Sequence, residues 1–232
     1  MLRLVDLSQD LYHGVPNFAC DPQTAIFTHL QIVDRGYNNA VIVTGTHQGT
    51  HMDAPYHFFD DGLTVEKLDG RRGFGPAWVL DFTQKRPKEE ITVSDVKSFS
   101  NKIKRGDRLI FRTGWDKVFP EKRYFSDQPY LGVETCQWIA DQGVICVAID
   151  APTIYPANYM PVHHALLNKK AEVLIIESLM HLDQLQSEQV ILIALPLRIQ
   201  GRDGSPCRAM AIDGDIQPYL TLFEMLNYEA SV

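Results

Sequence analysis

The chain of 232 residues is 45% hydrophobic and 22% charged, enough apolar content to bury a core and too balanced for a disordered, collagen-like or coiled-coil protein. A formal net charge of −7, with basic runs no longer than Arg71-Arg72 and Lys169-Lys170, gives no electrostatic reason to bind nucleic acid or an anionic membrane. No stretch reaches the roughly eighteen apolar residues of a membrane span, and the N-terminus has no basic region leading into an apolar signal core. The expected location is therefore the cytoplasm and the expected partner a small molecule.

In chain order, MLRLVDLSQD begins with a strand-like apolar pattern, and Val-, Ile- and Leu-rich runs predict strands at 40–44, 77–82, 108–113, 144–149, 173–176, 190–197 and 209–212. Thr92 and Asp95 have capping-box spacing and predict a helix over 93–101; a second helix over 133–142 stops at Gly143 and feeds the next strand. Many strands, few helices and a helix leading into a buried strand predict a single α/β domain over 1–232 with a mixed-sheet, barrel-like core.

The four cysteines, at 20, 136, 146 and 207, form no CxxC pair, which excludes a zinc ribbon or redox motif. Cys136 and Cys146 sit in apolar contexts and read as buried hydrophobes, while a nucleophilic Cys20 or Cys207 is the weaker reading. There is no GxSxG elbow. The segment GRDGSP at 201–206 lacks the lysine of a phosphate loop and reads as a turn between strands. Asp150-Ala151-Pro152-Thr153 reads as a capped strand exit.

The segment 44–58, TGTHQGTHMDAPYHF, places His47, His51, Asp53 and His57 within eleven positions. Imidazole and carboxylate suit Zn²⁺ or Mn²⁺, and a short loop can converge them without long-range assembly. Gly45, Gly49 and Pro55 exclude a regular helix, and with it the helical His-Glu-x-x-His arrangement. His51, Asp53 and His57 share the even spacing of one side of an extended segment. The competing reading is a pH-sensitive or merely hydrogen-bonded loop. Further ligands must come from the second half, where His163-His164 and Glu177 are candidates. Glu177 ends the apolar run 173–176 and is costly there unless it is paired, bound to a metal or reaches solvent.

The run HxGTHxDxPxHF, standing as His47-Gln48-Gly49-Thr50-His51-Met52-Asp53-Ala54-Pro55-Tyr56-His57-Phe58, resembles the signature of the cyclase family of metal-dependent hydrolases, which includes bacterial kynurenine formamidase and isatin hydrolase. DLSQDLYHGVPNF near the N-terminus, HHALL at His163, VLIIESL ending at Leu179 and LPLRIQGRDGSPCRA from Leu195 resemble its other landmarks in order. The resemblance implies a swivelling β/β/α fold, a homodimer or higher homo-oligomer, and one or two Zn²⁺ ions per chain, with Mn²⁺ as the alternative. His47, His51 and Asp53 match positions that bind the first metal, Asp53 and Glu177 the bridging carboxylates, and His163 a ligand of the second metal, with His164 the alternative if the register slips by one. His57 matches the general acid and base, a second-shell orienting role being its alternative.

The activity so implied is hydrolysis of a C–N amide bond, in an aryl formamide such as N-formylkynurenine or in a cyclic amide, imide or lactam. A lactone hydrolase or a non-catalytic metal or small-molecule binding protein on the same scaffold are the alternatives. Phe18 is the candidate substrate-binding residue: it stands in GVPNF where the formamidases carry a tryptophan, a departure that keeps an aromatic face. Phe58, Phe59, Tyr56, Tyr155 and Tyr159 are further candidates for an apolar pocket.

Overall fold

The computed structural model describes residues 1–225. Its centre is a closed, mixed sheet. Seven strands run in the order β12 (Gly204–Asp213), β11 (Gln189–Pro196), β5 (Phe74–Asp81), β7 (Arg108–Arg112), β9 (Cys146–Ile149), β10 (Leu174–Glu177) and β4 (His51–Asp53), and β4 pairs back onto β12 to close the ring. The pairs from β5 through β10 are parallel; β4, β11 and β12 pair antiparallel. β1 (Arg3–Asp6) adds to β12 further along the edge that β4 uses, at Met210–Asp213. The predicted mixed, barrel-like α/β core is what the chain forms.

Two apolar layers follow from the pleat, because successive side chains of a strand point to opposite faces. Ile110, Cys146, Ala148, Leu174 and Ile176 fill the barrel together with Met52. Their neighbours Leu109, Phe111, Val147, Ile149 and Ile175 face outward onto two helices, α3 (Val133–Asp141) and α4 (Tyr159–Leu167). A strand buried on both faces reads as a continuous apolar run, which is why 108–113 and 144–149 stood out in the sequence. On another side of the barrel, Leu220 and Phe223 of α5 (Gln217–Met225) cover Ile191, Ile193 and Ile212.

Several predicted elements change. The run 40–44 is a strand, β3 (Asn39–Val43), but among the described residues it pairs only with β2 (Ala25–Leu30), and all five of its residues are exposed. With the short α1 (Ile32–Arg35) between them, these two strands form an arm outside the barrel. The helix at 93–101 is cut to α2 (Val93–Lys97): Thr92 and Asp95 form the capping box as expected, but the Ser98 hydroxyl donates to the Asp95 carbonyl at 2.6 Å and the chain leaves the helix. The turn at 201–206 ends at Asp203, since Gly204, Ser205 and Pro206 already pair with Asp53, Met52 and His51. Short β6 (Glu90–Ile91) and β8 (Tyr130–Leu131) make a separate parallel pair.

Candidate metal centre

β4 is three residues long and wholly buried, held by antiparallel partners on both sides. Met52 points into the barrel, so His51 and Asp53 point together to the opposite face. Glu177, at the end of β10, lies directly across the ladder from His51. Gly204 is required at this seam, because a Cβ there would stand 2.6 Å from the Met52 carbonyl and 2.8 Å from His47 Cε1. From the outer layer α4 brings His163 over the same point. The adjacent His164 is exposed and turns instead to the rings of Phe58 and Phe59.

The donors converge. His51 Nε2 is 3.4 Å from both Asp53 Oδ1 and Glu177 Oε2, and His163 Nε2 is 3.4 Å from Asp53 Oδ2 and 3.5 Å from Glu177 Oε1. The Nδ1 atoms of both imidazoles are held by backbone carbonyls, of Gly49 at 2.7 Å and of Tyr159 at 2.7 Å. This places a proton on Nδ1 and directs each Nε2 at the carboxylates, where it can hold a proton or, once deprotonated, ligate a metal, with the carbonyl as the usual outer-sphere support. Glu177 Oε1 also accepts from the Ile154 amide at 2.9 Å, whereas Asp53 Oδ2 is buried and has no hydrogen-bond partner. A buried orphan carboxylate oxygen facing the His163 imidazole nitrogen fits a divalent cation, and His51, Asp53 and Glu177 offer ligand atoms within 4.8 Å of one another.

His47, Asp53 and His57 form a second such group. His47 is gripped on both nitrogens, Nδ1 by Asp53 at 2.8 Å and Nε2 by Asp203 at 2.6 Å, and its ring stacks on His57 with centroids 3.8 Å apart. His57 closes the 3-10 turn Pro55–His57 and approaches Asp203 through Nδ1 at 3.6 Å. Asp203 was not among the sequence candidates; in RDGSP it looks like an ordinary turn former.

The electrostatics describe a site waiting for positive charge. Burial alone would lower the His47 imidazole, but the charge of Asp53 and hydrogen bonds to Asp203 and Asp53 raise it to about 9. His51 and His163, with burial again opposing, are raised to about 10 by hydrogen bonds to Asp53 and Glu177. Burial pushes the Asp53 carboxyl up, and His47, His163 and His51 outweigh it, holding it well below the usual carboxylate range. Glu177, pushed up by burial and by Asp53, is brought below its ordinary value by His163 and His51. Protons on the imidazoles thus neutralise buried carboxylates that a cation would otherwise neutralise.

Beside the histidines runs a narrow cleft lined by Gln9, Phe18, Gln48 and Phe125 as well as His47 and His51. Phe18 meets Phe125 edge to face, centroids 5.1 Å apart. Phe125 lay unmarked in the sequence, far from the motif. Of the other aromatic candidates, Phe58 stacks on His163 at 4.7 Å and Tyr155 on Tyr130 at 3.8 Å, so both are spent on packing. Ser205 is fully buried and accepts from the Leu197 amide, a structural use. Cys136 and Cys146 are buried, as expected, and burial pushes the Cys207 thiol up to about 12, unsuited to nucleophilic attack.

A family model described as a putative cyclase matches residues 5–155. The kynurenine formamidase of Erythrobacter litoralis is 34% identical over 212 residues, covering 90% of this chain and 93% of the relative. That of Bacillus cereus is 30% identical over 212 residues, covering 89% and 95%. Among solved structures, a potential metal-dependent hydrolase with cyclase activity superposes with a TM-score of 0.78 at 26% identity, covering 93% of this chain and 100% of the other. An isatin hydrolase bound to the product analogue thioisatinate gives 0.83 at 24% identity, covering 91% and 92%, and shares the fold. This chain belongs to the cyclase family of hydrolases.

Proposed function

We propose that this chain is a metal-dependent amidohydrolase that cleaves the C–N bond of an aryl formamide such as N-formylkynurenine, or of a cyclic amide, imide or lactam, with His57 as general acid and base. The kinship to formamidases supports the bond class, and the orphaned Asp53 Oδ2 facing His163 Nε2, beside the converging His51 and Glu177, is the observation that carries the metal. His47, His51, Asp53, His163 and Glu177 would hold one or two ions, Zn²⁺ or Mn²⁺, with Asp53 and Glu177 supplying the negative charge.

A divalent ion bound there supplies Lewis-acid polarisation of a carbonyl and lowers the pKa of water from 15.7 towards 7. His57 takes the proton of the attacking water as the new C–O bond forms. It then returns that proton to the leaving nitrogen as the C–N bond breaks, so a formamide yields formate and an amine. Phe18 and Phe125, packed edge to face on each other, line the cleft beside the histidines and form an aromatic wall suited to a planar aromatic substrate.

A substrate panel of aryl formamides, cyclic imides, lactams and lactones on metal-replete enzyme, with elemental analysis of gently purified protein, tests this reading. Turnover of an amide or imide and at least one equivalent of transition metal per chain are expected. Turnover of lactones alone would overturn the bond class. Less than about half an equivalent of metal, with activity untouched by chelator, would overturn the metal.

A further inference from the structure

The turn before β12 places one carboxylate against both halves of the His47–His57 stack. Asp203 Oδ2 lies 2.6 Å from His47 Nε2 and 3.6 Å from His57 Nδ1, and the Thr46 hydroxyl donates to both carboxylate oxygens at 3.3 Å. Its backbone is tied down as well, since the Asp203 carbonyl accepts from the Ala54 amide at 2.8 Å, directly after Asp53. The carboxylate therefore moves with the motif loop and not with solvent. The His57 ring is confined too, stacked on His47 on one side and meeting the Phe58 edge at 4.5 Å. What remains free is rotation of the ring in its own plane and the choice of which nitrogen carries the proton.

We propose that Asp203 is the positioning residue of His57: its carboxylate accepts a hydrogen bond from His57 Nδ1–H and so leaves Nε2 as the basic nitrogen for the reacting water. The proposal rests on the reading of His57 as general base. An orienting acceptor behind a histidine fixes tautomer and ring direction, and a separation of 3.6 Å is the loose contact that tightens when a substrate complex forms. No proton passes through Asp203; the carboxylate stays ionised while His57 gains and loses its proton at Nε2. Asp203 touches the proposed ligand set only at His47, while His51, His163 and Glu177 converge around Asp53 without it.

Asp203→Asn, His57→Ala and the double variant in the metal-replete enzyme test this, each with metal content, kcat and KM on N-formylkynurenine or whichever panel amide is turned over, and ¹⁵N imidazole NMR of His57. Asp203→Asn should lower kcat roughly 10- to 100-fold with KM within about 2-fold and metal content unchanged. It should cost nothing further in the His57→Ala background, because a residue acting through His57 has nothing left to act on. The His57 Nδ1-protonated tautomer expected in the wild type should be lost, and Asp203→Glu should restore part of both tautomer and rate. Additive losses, or a fall in metal content, would overturn the proposal and make Asp203 an independent contributor or a ligand. If no amide is cleaved, the function proposed above fails, and the tautomer still decides: a His57 that stays Nδ1-protonated in Asp203→Asn overturns the positioning role, and one that changes supports it.

Discussion

Strands β3 and β4 are separated only by residues 44–50, yet they invert the usual relation between polarity and burial. β3, Asn-Ala-Val-Ile-Val, is exposed at every position, whereas β4, His-Met-Asp, is buried at every position. The difference is in what lies on either side. Among the described residues β3 has one ladder neighbour, β2, and no layer packed on it; β4 has β10 and β12 as ladder partners, Met52 in the barrel and α4 above. Burial is a property of position in the fold, and a polar strand survives there when each charged group finds a partner.

The inversion breaks most visibly at Glu177. Glu177→Gln removes a negative charge from the centre of the buried cluster, so metal content and turnover should fall together. Several kcal/mol of Lewis-acid assistance lost corresponds to roughly 10⁴-fold in rate. Parallel elemental analysis and amide turnover measure it, and full metal with full rate would remove Glu177 from the site. His57→Ala should lose roughly 10²- to 10⁴-fold in rate while keeping most of the metal, the scale of a positioned acid–base group. Loss of metal in that variant would make His57 a ligand.

The adjacent histidines sharpen the comparison within one helix. His163 faces Asp53 and Glu177, and His164 faces Phe58 and Phe59 outside. His163→Ala should lose about one equivalent of metal and roughly 10²-fold in rate, and His164→Ala should match wild type in both. A stoichiometry that falls for His164→Ala alone would reverse the assignment.

Without metal, the buried cluster should show itself in alkaline stability. His47, His51 and His163 are raised from 6.5 to about 9, about 10 and about 10. A raised folded pKa stabilises fully below the unfolded value and is lost as pH climbs through the folded one. The Tm of chelated protein should therefore fall between about pH 6.5 and 10, while metal-loaded protein, its imidazoles already deprotonated by coordination, should not follow. Equal slopes with and without metal would show that the imidazoles are not what neutralises Asp53 and Glu177.

What the sequence disclosed follows the range of each interaction. The histidine–aspartate cluster is local, so spacing alone gathered it, and Glu177 stood out because an acid ends an apolar strand. Asp203 and Phe125 reach the site only through closure of the barrel and the docking of a distant loop, which no short window contains. α4 escaped notice because it carries Pro161 and two histidines and is apolar on more than one side, blurring the helical period. β4 was too short for strand periodicity, being fixed by two ladders and not by propensity. β3, correctly legible as a strand, shows the converse limit: Val-Ile-Val has every mark of a core strand, and nothing in it records that the sheet closes elsewhere.

That contrast yields the smallest and most discriminating effect. Ile42 is 59% exposed and pairs across the arm with Ile26. Ile42→Thr keeps the β-branch, so the strand should persist, and an exposed substitution away from special features costs within about 0.5 kcal/mol. For a chain of this size that is at most about 2 °C in Tm. Met52→Ala in β4 removes a fully buried side chain and should cost about 2–5 kcal/mol, several times as much. Thermal melts of the two variants at low and high protein concentration test the contrast. Should Ile42→Thr cost as much as Met52→Ala, and more at high concentration, the arm is covered in solution by a second chain, since only association makes such a loss depend on concentration.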